Sequence, residues 1–239
     1  KLNEKANIVK NETSEVQKVK NETVHRTVAF FSGKGGVGKT LIASNLAVSL
    51  AQKKLKVALI DLDLQFGDIS VMFNLNETAT INDLVREESS VNEELLDRFL
   101  VRHISGVYIL PAPLWPQEEE NIRVEVVESL IKTLQKTFDI IIIDTATSFN
   151  EVSLSVLEMA DLILSPLRRE ICAVKSVKIT KNILDALNYG DKTKVILNQA
   201  NLDLGIEIKN LERNLDLGIT HLITNDEKTV LASVTKGVP

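Results

Sequence analysis

Four consecutive isoleucines, Ile140–Ile143, run between Asp139 and Asp144. Side chains on a strand alternate between the two faces of a sheet, so an unbroken apolar run has to be covered from both sides. Similar short runs recur at Thr27–Ser32, Lys56–Leu62, Val107–Leu110, Asp161–Leu164, Lys194–Leu197 and Ile219–Ile223. Between them lie stretches with helical spacing at Lys39–Lys53, Glu118–Lys136, Glu151–Met159, Cys172–Leu187 and Glu227–Lys236. Strand and helix in alternation predict an α/β fold of three layers, a mostly parallel twisted sheet with helices on both faces. Residues 64–102 interrupt the rhythm with two short helical pieces, Ile81–Arg86 and Glu93–Leu100.

The first 26 residues lack this pattern. They are polar and of mixed charge, and carry the tripeptide Asn-Glu-Thr twice, so they read as a linker ahead of one domain spanning residues 27–239. The chain opens on Lys1 and reads as a fragment, with a further domain expected upstream. Lys and Arg total 28 against 33 Asp and Glu, a net charge of −5, which argues against a general nucleic-acid coat. Only one cysteine, Cys172, is present, which excludes a disulfide framework or a cysteine-cluster metal site. Its reduced thiol suits a cytoplasmic protein and, flanked by Ile171 and Ala173, reads as a core residue. The longest apolar run is too short to cross a bilayer, and no signal peptide is visible.

Directly after the first predicted strand comes Gly33-Lys34-Gly35-Gly36-Val37-Gly38-Lys39-Thr40, followed by Leu41 at the start of a helix. The spacing G-x-x-x-x-G-K-[ST] is that of a phosphate-binding loop. Glycines let consecutive backbone N–H groups turn toward phosphate oxygens, and the helix adds its positive dipole end. Lys39 supplies a charge between the β- and γ-phosphates, and Thr40 a hydroxyl for Mg²⁺. The second strand ends in Asp61-Leu62-Asp63, two carboxylates on one side of the sheet at the end where ligands collect. One suits a Mg²⁺-bound water, the other an attacking water. Asp144, closing the isoleucine run, is a further Mg²⁺ candidate, and Asn198 closes the strand Lys194–Leu197.

With Lys34 in place, the loop KGGVGKT resembles the deviant Walker A class of P-loop ATPases, the MinD/ParA family. The resemblance implies a P-loop NTPase fold, Mg²⁺ and ATP (ADP after turnover), and a homodimer formed on ATP in which Lys34 reaches the partner's phosphates. It assigns catalysis to Lys34, Lys39 and Asp63, metal binding to Thr40, Asp61 and Asp144, and adenine recognition to Asn198. The segment Thr145-Ala146-Thr147-Ser148-Phe149-Asn150 departs from the family in lacking a Pro and Gly after the aspartate, so a hydroxyl from Thr145 or Thr147 is the expected substitute there. Asp61–Ser70 (DLDLQFGDIS), together with Leu110–Pro113 and Pro116–Glu119, resembles the CpaE/TadZ branch of Flp-type (tight-adherence) pilus assembly proteins. That likeness implies pilus or secretion assembly partners and recruitment to the inner face of the membrane or the cell pole. Two other readings stay open: a non-hydrolysing scaffold clamped by ATP, and a division-site or chromosome-partition ATPase.

Arg168, Arg169, Lys175, Lys178 and Lys181 form a basic cluster in sequence, read as a solvated helix face, with DNA an unfavoured partner. Trp115, between prolines at 113 and 116, reads as a packed loop anchor.

Overall fold

The computed structural model describes residues 26–76, 78–87, 91–202, 206–215 and 218–239. In chain order the strands are β1 (Arg26–Phe30), β2 (Val57–Leu62), β3 (Val101–Arg102), β4 (Tyr108–Leu110), β5 (Ile140–Thr145), β6 (Leu162–Leu167), β7 (Thr193–Leu197) and β8 (Ile219–Leu222). The helices are α1 (Lys39–Gln52), α2 (Ile69–Met72), α3 (Ile81–Glu87), α4 (Glu93–Phe99), α5 (Val124–Thr137), α6 (Glu151–Met159), α7 (Ile171–Ala186), α8 (Ile208–Leu215) and α9 (Glu227–Lys236), with a 3₁₀ turn at Pro116–Asn121. The sheet order is β3-β4-β2-β5-β1-β6-β7-β8. Every pair is parallel except β3–β4, an antiparallel edge hairpin.

The isoleucine run behaves as its alternation demands. Ile141 and Ile143 join Ala58, Ile60 and Leu62 in a core beneath α3, α4, α5 and α6. Ile142 joins Val28, Phe30, Val57 and Leu59 in a second core beneath α1 and α2. A third, smaller core holds Leu167, Val195 and Leu197 against Ala173 and Val177 of α7 and Leu211 of α8. Burying each branched side chain contributes about 1.5–3 kcal/mol, so this strand anchors both layers. Among the described residues no helix is long and apolar enough to cross a membrane.

Several local outcomes differ from the sequence expectation, each for a physical reason. The helix expected over Glu118–Lys136 is split: Asn121 donates its side-chain amide to Asn82, Ile122 is extended and buried, and α5 starts only at Val124. Strand β6 runs past Leu164 through Ser165 and Pro166. Ile163 donates to Lys192 and Leu167 accepts from Asn198, both toward β7, whereas Leu164 accepts from Phe31 on the β1 side. The N–H that Pro166 lacks therefore faces the side where β1, paired only along Leu162–Leu164, has already ended. Cys172 is exposed, not a core thiol. The buried stripe of α7 is Ala173, Val177, Thr180 and Leu184, and Cys172 lies one position outside it. Trp115 is also exposed; its loop is anchored by buried Pro111 and Ala112 instead.

Candidate functional site

Strand β1 delivers the chain to Gly33 at the carboxyl end of the sheet, and α1 begins at Lys39. Gly38 stands immediately before the helix at φ 99°, left-handed geometry that a side chain resists. A Cβ built on Gly38 would lie 2.5 Å from Nδ2 of Asn198, so the loop and the end of β7 close on each other here. Gly33, Gly35 and Gly36 are exposed, Val37 is buried, and Leu41 lies in the first turn of the helix. Lys39 is 8% exposed, well buried for a lysine.

Asp144 supplies the counter-charge beside buried Lys39. Its Oδ1 lies 3.9 Å from the Lys39 ammonium, and its Oδ2 accepts a 2.5 Å hydrogen bond from Thr40 Oγ1. Oδ1 is buried and has no hydrogen-bond partner among the described residues. Burial pushes the Asp144 carboxyl up to about 6 despite the opposing pull of Lys39 and Thr40. Asp61 faces Asp144 in register across β2 and β5. Both lie on the α1 side of the sheet by strand alternation. Asp61 is wholly buried, and its carboxyl is held well above the usual range by burial and then by the Asp144 charge. Its oxygens are taken by the backbone: Oδ2 accepts from Ile69 N at 3.1 Å, and Oδ1 from Asp63 N at 3.2 Å. Asp63, half-buried, is raised by burial and lowered by Lys39, which puts it in electrostatic reach of the loop.

The donor set can therefore be tested against Mg²⁺. Among the described residues no three His, Cys, Asp or Glu side chains are grouped to hold a metal by themselves. Mg²⁺ typically takes one or two protein oxygens and completes its shell with phosphate and water. The Thr40 hydroxyl beside an orphaned Asp144 oxygen fits that demand.

A cleft of about 610 Å³ opens beside α1, lined in part by Leu41, Ile42, Leu46, Asn198, Gln199 and Val230. Asn198 donates from Nδ2 to Val37 O at 3.0 Å and accepts at Oδ1 from Gln199 N at 2.9 Å. One amide hydrogen and one lone pair remain for a ligand. Arg168, Asn225 and Asp226 also line the cleft and were not singled out as binding residues from sequence. The usable signal was position, since Arg168 follows the carboxyl end of β6.

Other expectations are redistributed. Thr145 cannot replace the missing Pro and Gly, because its hydroxyl is buried and donates to Phe30 O at 2.7 Å. Thr147 is exposed. The basic cluster is dispersed: Arg168 lines the cleft, Arg169 donates to Ile206 O, Lys181 pairs with Asp185, and Lys175 and Lys178 stay exposed on α7. Lys34 is partly exposed, and its ammonium makes no ion pair among the described residues.

A protein-family model described as an AAA domain matches residues 25–197. The chain belongs to that family. Within it the chain is a MinD/ParA-type P-loop ATPase. It is 28% identical to the septum site-determining protein MinD of Thermotoga maritima, covering 87% of this chain and 78% of the relative. It is 30% identical to the chromosome partitioning protein ParA of Myxococcus xanthus, covering 70% of this chain and 61% of the relative. The ParA family ATPase of Chlorobium tepidum superimposes with a TM-score of 0.83 at 25% identity, covering 89% of this chain and 90% of that one. MinD of Pyrococcus horikoshii, solved with Mg-ADP, shares the fold at a TM-score of 0.76 and 22% identity, over 90% and 87% of the two chains. The eight-stranded sheet of this MinD/ParA-type chain is that shared fold.

Proposed function

We propose that this chain binds Mg²⁺ and ATP in the loop Gly33–Thr40 and acts as a nucleotide-dependent switch that dimerises in its ATP-bound form. The observation that carries the reading is the convergence of buried Lys39, Thr40 and the Asp144 oxygen that accepts no hydrogen bond among the described residues. Lys39 neutralises phosphate charge, the loop amides orient the phosphates, and Asn198 with Leu41 contacts the base. Thr40 and Asp144 would hold Mg²⁺, with Asp61 behind them; when bound, the ion offsets charge on the phosphate oxygens. Asp63 orients the attacking water, and Lys34, whose ammonium makes no ion pair among the described residues, serves the second copy's phosphates as in a deviant Walker A loop. Dimerisation then converts ATP binding into a population shift.

Phosphate release, measured in Mg·ATP over a protein-concentration series, tests this. Specific activity rising with concentration and lost in Asp63→Ala supports a dimer-activated ATPase, and Lys39→Ala should abolish nucleotide binding. A second reading is favoured by the engagement of Thr145 with Phe30: a clamp that holds ATP with little turnover. Saturable ATP binding without phosphate release selects it.

For the cellular role we infer pilus or secretion-machine assembly, from the likeness of Asp61–Ser70 and Leu110–Glu119 to the CpaE/TadZ branch. The names of the relatives support a division or partition role equally well. ATP-dependent binding to anionic vesicles or to DNA selects that alternative, whereas recruitment together with a pilus or secretion assembly partner to the inner face of the membrane or the cell pole is the cellular correlate of the pilus reading.

A further inference from the structure

Two loops beside the nucleotide site are fastened together and display an apolar surface. Gln65 donates its side-chain amide to Glu119, and Gly67 packs so closely that a Cβ there would lie 2.4 Å from Ala112 Cβ. On these loops Phe66 is 74% exposed, Leu114 73% and Trp115 63%. The loops are not slack. Glu118 accepts from Asn82 Nδ2 at 2.7 Å and from Trp115 N at 3.3 Å, and Asn121 donates to Asn82 at 3.0 Å. A braced backbone that nevertheless presents Phe, Leu and Trp to solvent has the composition of an interface centre.

The surroundings of this patch say what would cover it. The 3₁₀ turn that follows Trp115 also walls a cleft of about 480 Å³. The cleft is lined by Glu119, Glu120, Glu125 and Glu151 against a single cation, Arg123. None of these four carboxylates makes an ion pair among the described residues. Asp63 and Asp68 add further negative charge on the Phe66 loop. Such a field repels nucleic acid and anionic lipid and attracts Lys or Arg. An apolar centre with an acidic flank is complementary to a segment that pairs apolar anchors with basic side chains.

We propose that the Phe66–Leu114–Trp115 surface and the adjoining acidic cleft together form a docking site for a basic, apolar segment of another protein. Its apolar side chains cover the three exposed residues, and its basic side chains enter the cleft at Glu120, Glu125 and Glu151. The site is one hydrogen-bonded step from the loop that carries Asp63, through Gln65 and Glu119.

Trp115 is the only tryptophan of the chain, so its emission reports on this surface alone. The full chain, without nucleotide so that the outcome is independent of the ATP reading, is titrated with a short synthetic amphipathic peptide of Leu and Arg. An otherwise identical peptide with Glu in place of Arg is the control. The expected result is a blue shift of Trp115 emission and protection from acrylamide quenching with the basic peptide only. Affinity should fall about tenfold in Glu120→Lys/Glu151→Lys, with a smaller loss in Phe66→Ala. All three side chains are exposed, so the variants keep the fold, checked by circular dichroism. An unchanged spectrum, an equal response to the two peptides, a blue shift with phosphatidylglycerol vesicles, or one produced by raising protein concentration alone each overturns the proposal. The last two outcomes assign the patch to a bilayer or to a second copy.

Discussion

Asp61 and Asp144 stand side by side at the ends of adjacent parallel strands, on the same face of the sheet, both buried and both with raised carboxyl pKa values. Their surroundings nevertheless make them opposites. Asp61 is saturated by backbone N–H groups from the loop that follows it, and so serves as the post to which residues 63–69 are tied. Asp144 has one oxygen on Thr40 and one with no hydrogen-bond partner among the described residues, facing the Lys39 ammonium at the edge of bonding range. A buried carboxylate oxygen left open is costly unless something else completes it. The pair thus separates a carboxylate that organises a loop from one poised for a cation.

Substitution of each member should give effects of opposite sign. Asp144→Asn removes the open negative oxygen, and Mg²⁺-dependent tightening of ATP binding should fall by roughly a hundredfold, measured by calorimetry with and without Mg²⁺. The same variant, free of nucleotide, should be more stable than the parent at neutral pH, because the cost of burying the Asp144 charge outweighs the opposing pull of Lys39 and Thr40. Asp61→Asn replaces an acceptor with an NH₂ facing a backbone N–H. It should destabilise the nucleotide-free chain by about 1–3 kcal/mol in urea unfolding. Equal signs for the two variants would erase the distinction.

Gly67 sharpens the comparison from the loop side. A Cβ there would meet Asp61 Oδ2 at 2.5 Å as well as Ala112. Gly67→Ala should therefore push the loop off its post, at a cost of about 1–2 kcal/mol in urea unfolding. Because the same loop carries Asp63, it should also slow phosphate release with ATP affinity little changed. A variant as stable as the parent would mean that Asp61 does not hold this loop.

The central strands and the phosphate loop could be read from sequence because their signals are local. Ile140–Ile143 state their own two-sided burial, and Gly33–Thr40 states its own backbone demand. What escaped reading depends on partners distant in the chain. Saturation of Asp61 needs Ile69, eight residues on and in the short α2, which has too few residues for a periodic signal. The Thr145 hydroxyl is consumed by Phe30, 115 residues away. Pro166 looks like a strand breaker until the length of β1 is known, and the exposure of Cys172 follows from a one-residue phase of α7. The division follows contact range: period and turn chemistry are written locally, whereas the state of a buried polar atom is set by whatever strand or loop arrives beside it.

The smallest effect is also the most diagnostic. Asp144 has a folded-state pKa of about 6, above the ordinary 3.8. The folded chain therefore holds a proton that the unfolded chain releases across that window, and stability falls as pH rises through it. Between pH 5.5 and 7 this group alone should lower the unfolding free energy by about 1 kcal/mol. Other carboxylates titrate as well, Asp61 and Asp63 in the same direction, so the quantity to measure is the difference between the parent and Asp144→Asn in urea unfolding. That difference should shrink as pH falls toward 5 and widen toward 7, with the variant the more stable of the two. In the parent, Mg·ATP should flatten the dependence, since a cation at the open oxygen favours the ionised carboxylate and expels its proton. A parent–variant difference independent of pH would mean that Asp144 is ionised at no unusual cost, and the contrast with Asp61 would then rest on hydrogen bonding alone.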